Sequence, residues 1–85
     1  MARKEFGQFI VVDDEICHGQ PTFKGTRIMV WQILEMVGDG MDWAQIVADC
    51  GGRVSIEAIR EALKFTRQVF KDYAHDYAES HEPAA

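Results

Sequence analysis

The nine basic residues of this 85-residue chain are unevenly placed. Arg60, Lys64, Arg67 and Lys71 are spaced 4, 3 and 4 apart, which lines them up along one side of a helix. Arg53 stands just before them, so five of the nine lie between Arg53 and Lys71. Cations in such a row can meet successive phosphates, or guanine edges in a major groove. The plain alternative is a solvated helix surface on which Glu57, Arg60, Glu61 and Lys64 are ordinary neighbours. The stripe carries no Asn or Gln for reading adenine.

The other reactive residue types do not assemble into a centre. Cys17-His18 and Cys50 could be imagined as zinc ligands, but structural zinc needs four ligands, usually in close pairs. The remaining histidines, His75 and His81, sit far along the chain. Cys17 beside His18 is also a possible thiolate and base; adjacent residues on a strand point to opposite faces and do not converge. Asp13-Asp14-Glu15 reads as a solvated acidic turn rather than a cation site. No glycine-rich phosphate loop is present. The expectation is a protein that is not an enzyme, with no metal and no cofactor. Arg27 has two readings: a tie between a loop and the following helix, or a contact for a partner.

The elements that would carry these residues can be read from the pattern. Met1 to Gly7 is charged and polar around Phe6 and reads as a loose arm. Phe9-Ile10-Val11-Val12 is a β-branched apolar run and reads as a strand from Gln8 to Val12. Ile16-Cys17-His18 reads as a further short extended piece, and Pro21 to Phe23 as the partner strand. Between them these make an N-terminal β-hairpin too small to stand alone. Gly25 allows the chain to reverse at positive φ before the first helix.

Helix one is expected over Met29 to Val37, with Val30, Ile33, Leu34 and Val37 on one face. Gly38 and Gly40 end it. Helix two begins at Asp42, with Gln45 completing a capping box, and stops at Gly51-Gly52. Ser55 caps helix three, which runs to about Tyr77. Ile56, Ile59, Leu63, Thr66, Phe70, Tyr73 and Tyr77 form a continuous seam along it. Helices one and two are too short to cover the far end of that seam. Phe70, Tyr73 and Tyr77, with Val69, are therefore candidates for an interface, covered by the β-element, a second subunit or another protein.

The fold class is mostly α: a short N-terminal β-hairpin followed by a three-helix helix-turn-helix unit. Residues 1–28 form the arm and β-element, 29–78 the three-helix unit and 79–85 a flexible tail, one domain overall. The net charge of −5 argues against bulk affinity for nucleic acid or acidic membrane, though not against a local basic face. No apolar run is long enough to span a membrane. Two separated cysteines and no secretory signal suggest reduced thiols in the cytoplasm. So short a chain also suggests oligomerisation, and the unpaired edges of Phe9 to Val12 and Pro21 to Phe23 would invite the same strands of a second chain, giving a homodimer.

The stretch Gly19-Gln20-Pro21-Thr22-Phe23-Lys24-Gly25-Thr26-Arg27-Ile28 joins the β-element to the helices. Together with the following helix, the turn Gly38-Asp39-Gly40-Met41 and two further helices, it resembles the domain-of-unknown-function family 433 (DUF433). The resemblance runs from Phe9 to Phe65. Met29 departs from it, since the family often has Pro there. So does Gly51-Gly52-Arg53-Val54, where the family often carries Pro-His-Leu. That family resembles the antitoxin half of VapB/VapC-like toxin–antitoxin pairs, with homeodomain-like helices. The resemblance implies a small antitoxin-like protein that neutralises a cognate PIN-like ribonuclease toxin and binds its own promoter as a dimer. Arg53, Arg60, Lys64 and Arg67 would then meet double-stranded DNA, and Arg27, Val69, Phe70, Tyr73 and Tyr77 the toxin. The alternative is a protein-interaction module that never touches DNA.

Overall fold

The apolar run after Phe9 does form a strand, and it is the middle one of three. In the computed structural model, which describes residues 2–83, β1 spans Arg3–Phe6, β2 Ile10–Asp13 and β3 Thr22–Phe23. The sheet is antiparallel in the order β1-β2-β3, with Phe6 opposite Ile10 and Ile10 opposite Phe23. Three helices follow: α1 at Val30–Gly38, α2 at Trp43–Asp49 and α3 at Ile56–Ser80.

The N-terminus corrects the expectation of a loose arm and a two-stranded hairpin. β1 is exposed along its whole length, so it has no buried face to betray it in the sequence. It is held by main-chain pairing and by charges across the sheet. Arg3 reaches Asp13 on β2 at 3.1 Å, and Lys24, just past β3, reaches Glu5 at 2.8 Å. Phe6 folds its ring against Phe65 of α3, with centroids 5.1 Å apart. β2 is therefore paired on both sides, and β3 is bridged on its far side by Thr22 to Met29. The edges expected to recruit a second chain are already occupied within this one.

Cys17 and His18 also depart from expectation. They form a 3₁₀ turn, Cys17–Gly19, rather than an extended piece. Both take left-handed φ, 50° and 58°, unusual outside glycine. The turn at Gly25 matches the reading: its φ is +76°, and Thr26 closes it by donating from both N–H and Oγ1 to the Phe23 carbonyl.

Both short helices end by the same device. Gly40 donates to Val37 and Met41 to Met36 after α1; Gly51 donates to Ala48 and Gly52 to Val47 after α2. Each places a left-handed glycine just past the helix and satisfies its last carbonyls. The start of α2 is a correction: Asp42 makes no side-chain cap, and Gln45 bonds forward to Asp49 instead. Ser55 does cap α3, accepting from Ala58 N–H at 3.1 Å.

The core gathers Ile10, Phe23, Val30, Ile33, Ile46, Val54, Ala58, Ile59 and Ala62. Ala58 and Ala62 are the small residues at which α3 closes on the rest of the body. The buried face of α3 is therefore Ala58-Ile59-Ala62, continued by the half-buried Phe65 and Thr66. It is turned by about 70° from the centre of the expected Ile56-to-Tyr77 seam. Ile56 and Leu63 are only half-buried. α3 has 25 residues, about 37 Å of helix, in a molecule 39 Å in its longest dimension. It overruns the body at its C-terminal end. It also runs through Ser80, into the expected tail; of that tail, Ala84 and Ala85 lie outside the described residues, as does Met1 at the other end.

Candidate functional site

α3 presents three different surfaces. On the side away from the core stand Arg60, Lys64, Arg67 and Lys71, all exposed. Among the described residues none of the four makes an ion pair: the pairs present use Arg3, Lys24 and His75. Their acidic neighbours are engaged elsewhere or open to water. Glu61 in particular is turned away, accepting the N–H groups of Gln8 and Phe9 at 2.8 and 2.7 Å. The stripe is thus a row of unneutralised cations on a capped, rigid helix.

Arg53 does not belong to this row. It sits in the α2–α3 turn, where its Nε donates to the Cys50 carbonyl at 3.3 Å. Its side chain faces the β3 turn and lines a 390 Å³ groove with Ile16, Gly25, Thr26 and Arg27. It also lines a smaller one with Phe9, Phe23, Lys24 and Ala58. Arg27 is exposed, and among the described residues its guanidinium makes no hydrogen bond. Only its carbonyl is used, accepting from the Cys17 thiol at 3.6 Å. Arg27 is thus not the loop-to-helix tie; it stands beside Arg53 in a second, separate basic group.

The third surface is apolar. Phe70, Tyr73 and Tyr77 are 69%, 62% and 64% exposed, and Val69 is 40% exposed. With Ala74 and Ala78 the three aromatics line an open apolar hollow of 550 Å³. Neither the sheet nor the short helices reach it. Phe6 covers Phe65 but nothing beyond. A neighbouring groove, lined by Pro21, Trp31, Leu34, Phe65 and Val69, brings the half-exposed Trp31 alongside.

Glu61 was passed over in the sequence as one charge among many on a helix. Its carboxylate is the clamp between α3 and the β1–β2 turn, and Gly7 makes room for it. Any Cβ at Gly7 would collide with the Glu61 carboxylate, and the φ of Gly7 is +63°. The pair Gly7 and Glu61 carried no local signal, because the two are far apart in sequence.

Among the described residues no group of three or more His, Cys, Asp or Glu converges as a metal set. Cys17 is half-buried and Cys50 buried, both as free thiols. Burial pushes the Cys50 thiol above its ordinary pKa, with the Asp49 charge adding to the effect. Among the described residues no helix is long and apolar enough to cross a membrane.

No curated protein and no solved structure matches this chain. One protein family does, over residues 10–66. That span holds β2, β3, α1, α2 and the half of α3 that lies on the body; β1 and the aromatic half of α3 fall outside it. It covers two-thirds of the 85-residue chain, and the chain therefore belongs to the family described as "Protein of unknown function (DUF433)".

Proposed function

We propose that this protein is a non-catalytic, cytoplasmic DNA-binding protein of antitoxin type. It binds double-stranded DNA through α3, neutralises a cognate ribonuclease toxin and represses its own promoter. The observation that carries the DNA reading is the stripe of Arg60, Lys64 and Arg67, exposed and without ion-pair partners on the side of α3 away from the core. In this reading α1, α2 and the first half of α3 act as a homeodomain-like helix-turn-helix, with α3 as the helix that enters the major groove. Lys71 extends the stripe, and Arg53 and Arg27 contact a flanking phosphate from their own groove. The antitoxin role follows from the resemblance of the family to antitoxins; the stripe itself supports only the DNA contact.

The test is binding to DNA from upstream of the protein's own gene, measured over a range of salt. Each phosphate contact contributes about 0.9 to the slope of log K against log salt. Replacing Arg60 and Lys64 with Ala should weaken binding and reduce that slope by about 2. Wild-type protein that shows no salt-dependent binding at low ionic strength would end the DNA reading. A second reading, a protein-interaction module that does not touch DNA, is favoured by the net charge of −5, which repels nucleic acid outside the stripe.

A further inference from the structure

Two arginines share one groove of this molecule with no acid to balance them. Arg27 comes from the turn after β3 and Arg53 from the turn between α2 and α3, and both line the 390 Å³ groove with Ile16, Gly25 and Thr26. None of these five residues is acidic. Asp14 and Glu15 precede Ile16 in the chain, yet among the described residues neither arginine pairs with them or with any other carboxylate. Like charges facing one concavity repel each other and draw anions into it. In a chain with a net charge of −5 the groove is a local reversal of sign.

The free donors are those an oxyanion needs. Arg53 gives only its Nε to the fold, at 3.3 Å to the Cys50 carbonyl. That bond steadies the side chain and leaves its two terminal nitrogens uncommitted. Arg27 gives the fold none of its side-chain donors. Among the described residues the N–H groups of Gly25 and Arg27 also donate to nothing. Thr26 differs: its hydroxyl donates to the Phe23 carbonyl and accepts from the Ile28 N–H, so it shapes the wall and supplies no donor. A guanidinium holds its N–H groups in a planar fork that matches a pair of phosphate oxygens. Forks that arrive from two separate turns can grip a tetrahedral group from two sides. A carboxylate, with two oxygens in one plane, is satisfied by a single fork. The groove is also larger than a bare anion requires and has room for the sugar that carries it.

We propose that the Arg27–Arg53 groove is a phosphate-binding site that takes a sugar phosphate, either a free nucleotide or a unit of a DNA backbone. The DNA source rests on the reading of α3 as a DNA-binding helix, and it makes the groove a second anchor apart from the stripe of Arg60, Lys64 and Arg67. The free nucleotide does not rest on that reading.

The full-length, isotope-labelled protein is titrated with inorganic phosphate and with deoxyadenosine monophosphate at constant ionic strength, following the backbone amide and arginine Nε–H resonances. Saturable shifts should centre on Gly25, Arg27 and Arg53, with a dissociation constant on the order of 1 mM. Arg27→Gln and Arg53→Gln should each weaken binding about tenfold. Both residues are exposed, so helical circular dichroism should not change. Arg53→Lys keeps the charge, loses the fork and should also bind more weakly than wild type. R60A/K64A should bind both probes as wild type does. Three results each overturn the proposal: no saturation by either probe at tens of millimolar, shifts centred on the α3 stripe, or acetate bound as tightly as phosphate. Affinity for the upstream DNA then separates the sources. If R27Q/R53Q lowers that affinity and takes about 0.9 from the salt slope, the phosphate belongs to DNA. If it leaves DNA binding unchanged, the site serves a free nucleotide. Saturable phosphate binding by a protein that ignores DNA ends the DNA reading and keeps the site; DNA binding without phosphate saturation does the reverse.

Discussion

Glu61 shows how one side chain can hold two parts of a fold together. Its two oxygens accept from consecutive N–H groups in a tight turn that Gly7 opens for them. Removing the carboxylate leaves the exposed Gln8 donor to water but strips the half-buried Phe9 donor of its acceptor, and a buried donor left unsatisfied costs about 1–3 kcal/mol. Glu61→Ala is therefore expected to lower stability by about 1 kcal/mol in a denaturant titration, with Phe9 losing amide-exchange protection first. An unchanged midpoint would show that water replaces the clamp. Gly7→Ala should act through the same contact, because its Cβ displaces the carboxylate and its φ is left-handed. The stripe residues form the contrast. Arg60, Lys64 and Arg67 are exposed and among the described residues make no ion pair, so alanine there should leave stability within about 0.5 kcal/mol, and on the proposed function should lower DNA affinity.

At the scale of elements, β1 is the piece held most by charge. Its Glu5 carboxyl lies below the ordinary 4.5, chiefly through the hydrogen bond from Lys24. Asp13 lies below its ordinary 3.8, chiefly through the Glu15 N–H and then through Arg3. Both groups bind a proton less readily folded than unfolded. Their contribution is complete above the unfolded values and is lost as pH falls through the lower, folded ones. Amide protection in β1, taken relative to the intrinsic exchange rate at each pH, should therefore fall below about pH 4, before that of the helices, and by a modest factor because both pairs face solvent. Exchange in β1 that tracks the helices at every pH would show that main-chain pairing alone holds it. This strand is also where the sequence was least informative. The helices were legible because their apolar spacing and glycine stops act locally: Val30 and Ile33 are buried, and Gly40 and Gly51 sit where each helix ends. The chain reversal at Gly25 was legible for the same reason. β1 has no apolar alternation, and its partners lie in β2 and past β3. The face of α3 was misjudged because Ala58 and Ala62 carry little hydrophobic signal, yet they decide which side closes on the core. Of the candidate site, the exposure of the stripe and of the aromatics was legible from spacing. The separation of Arg53 from Arg60 was not, since it depends on the path of the α2–α3 turn.

The molecule as a whole divides into a packed body that ends near Thr66 and a helical extension that carries the aromatics. Stopping the chain after Val69 should leave the melting temperature within a few degrees of wild type, because none of the described residues removed is buried. A large loss of stability would mean that the extension supports the body through contacts the monomer does not show. The clamp between the first turn and the last helix has a consequence during synthesis. Its bonds join residues 53 and 52 positions apart, among the longest reaches in the fold. At about 5–20 residues per second, the ribosome takes roughly 3–10 s to deliver Glu61 after Phe9. Until Glu61 follows them out of the tunnel, the first strands lack this clamp. The start of this chain is made first and sealed last, and its newborn form presents an open sheet edge to whatever chaperone or neighbouring chain waits at the tunnel exit.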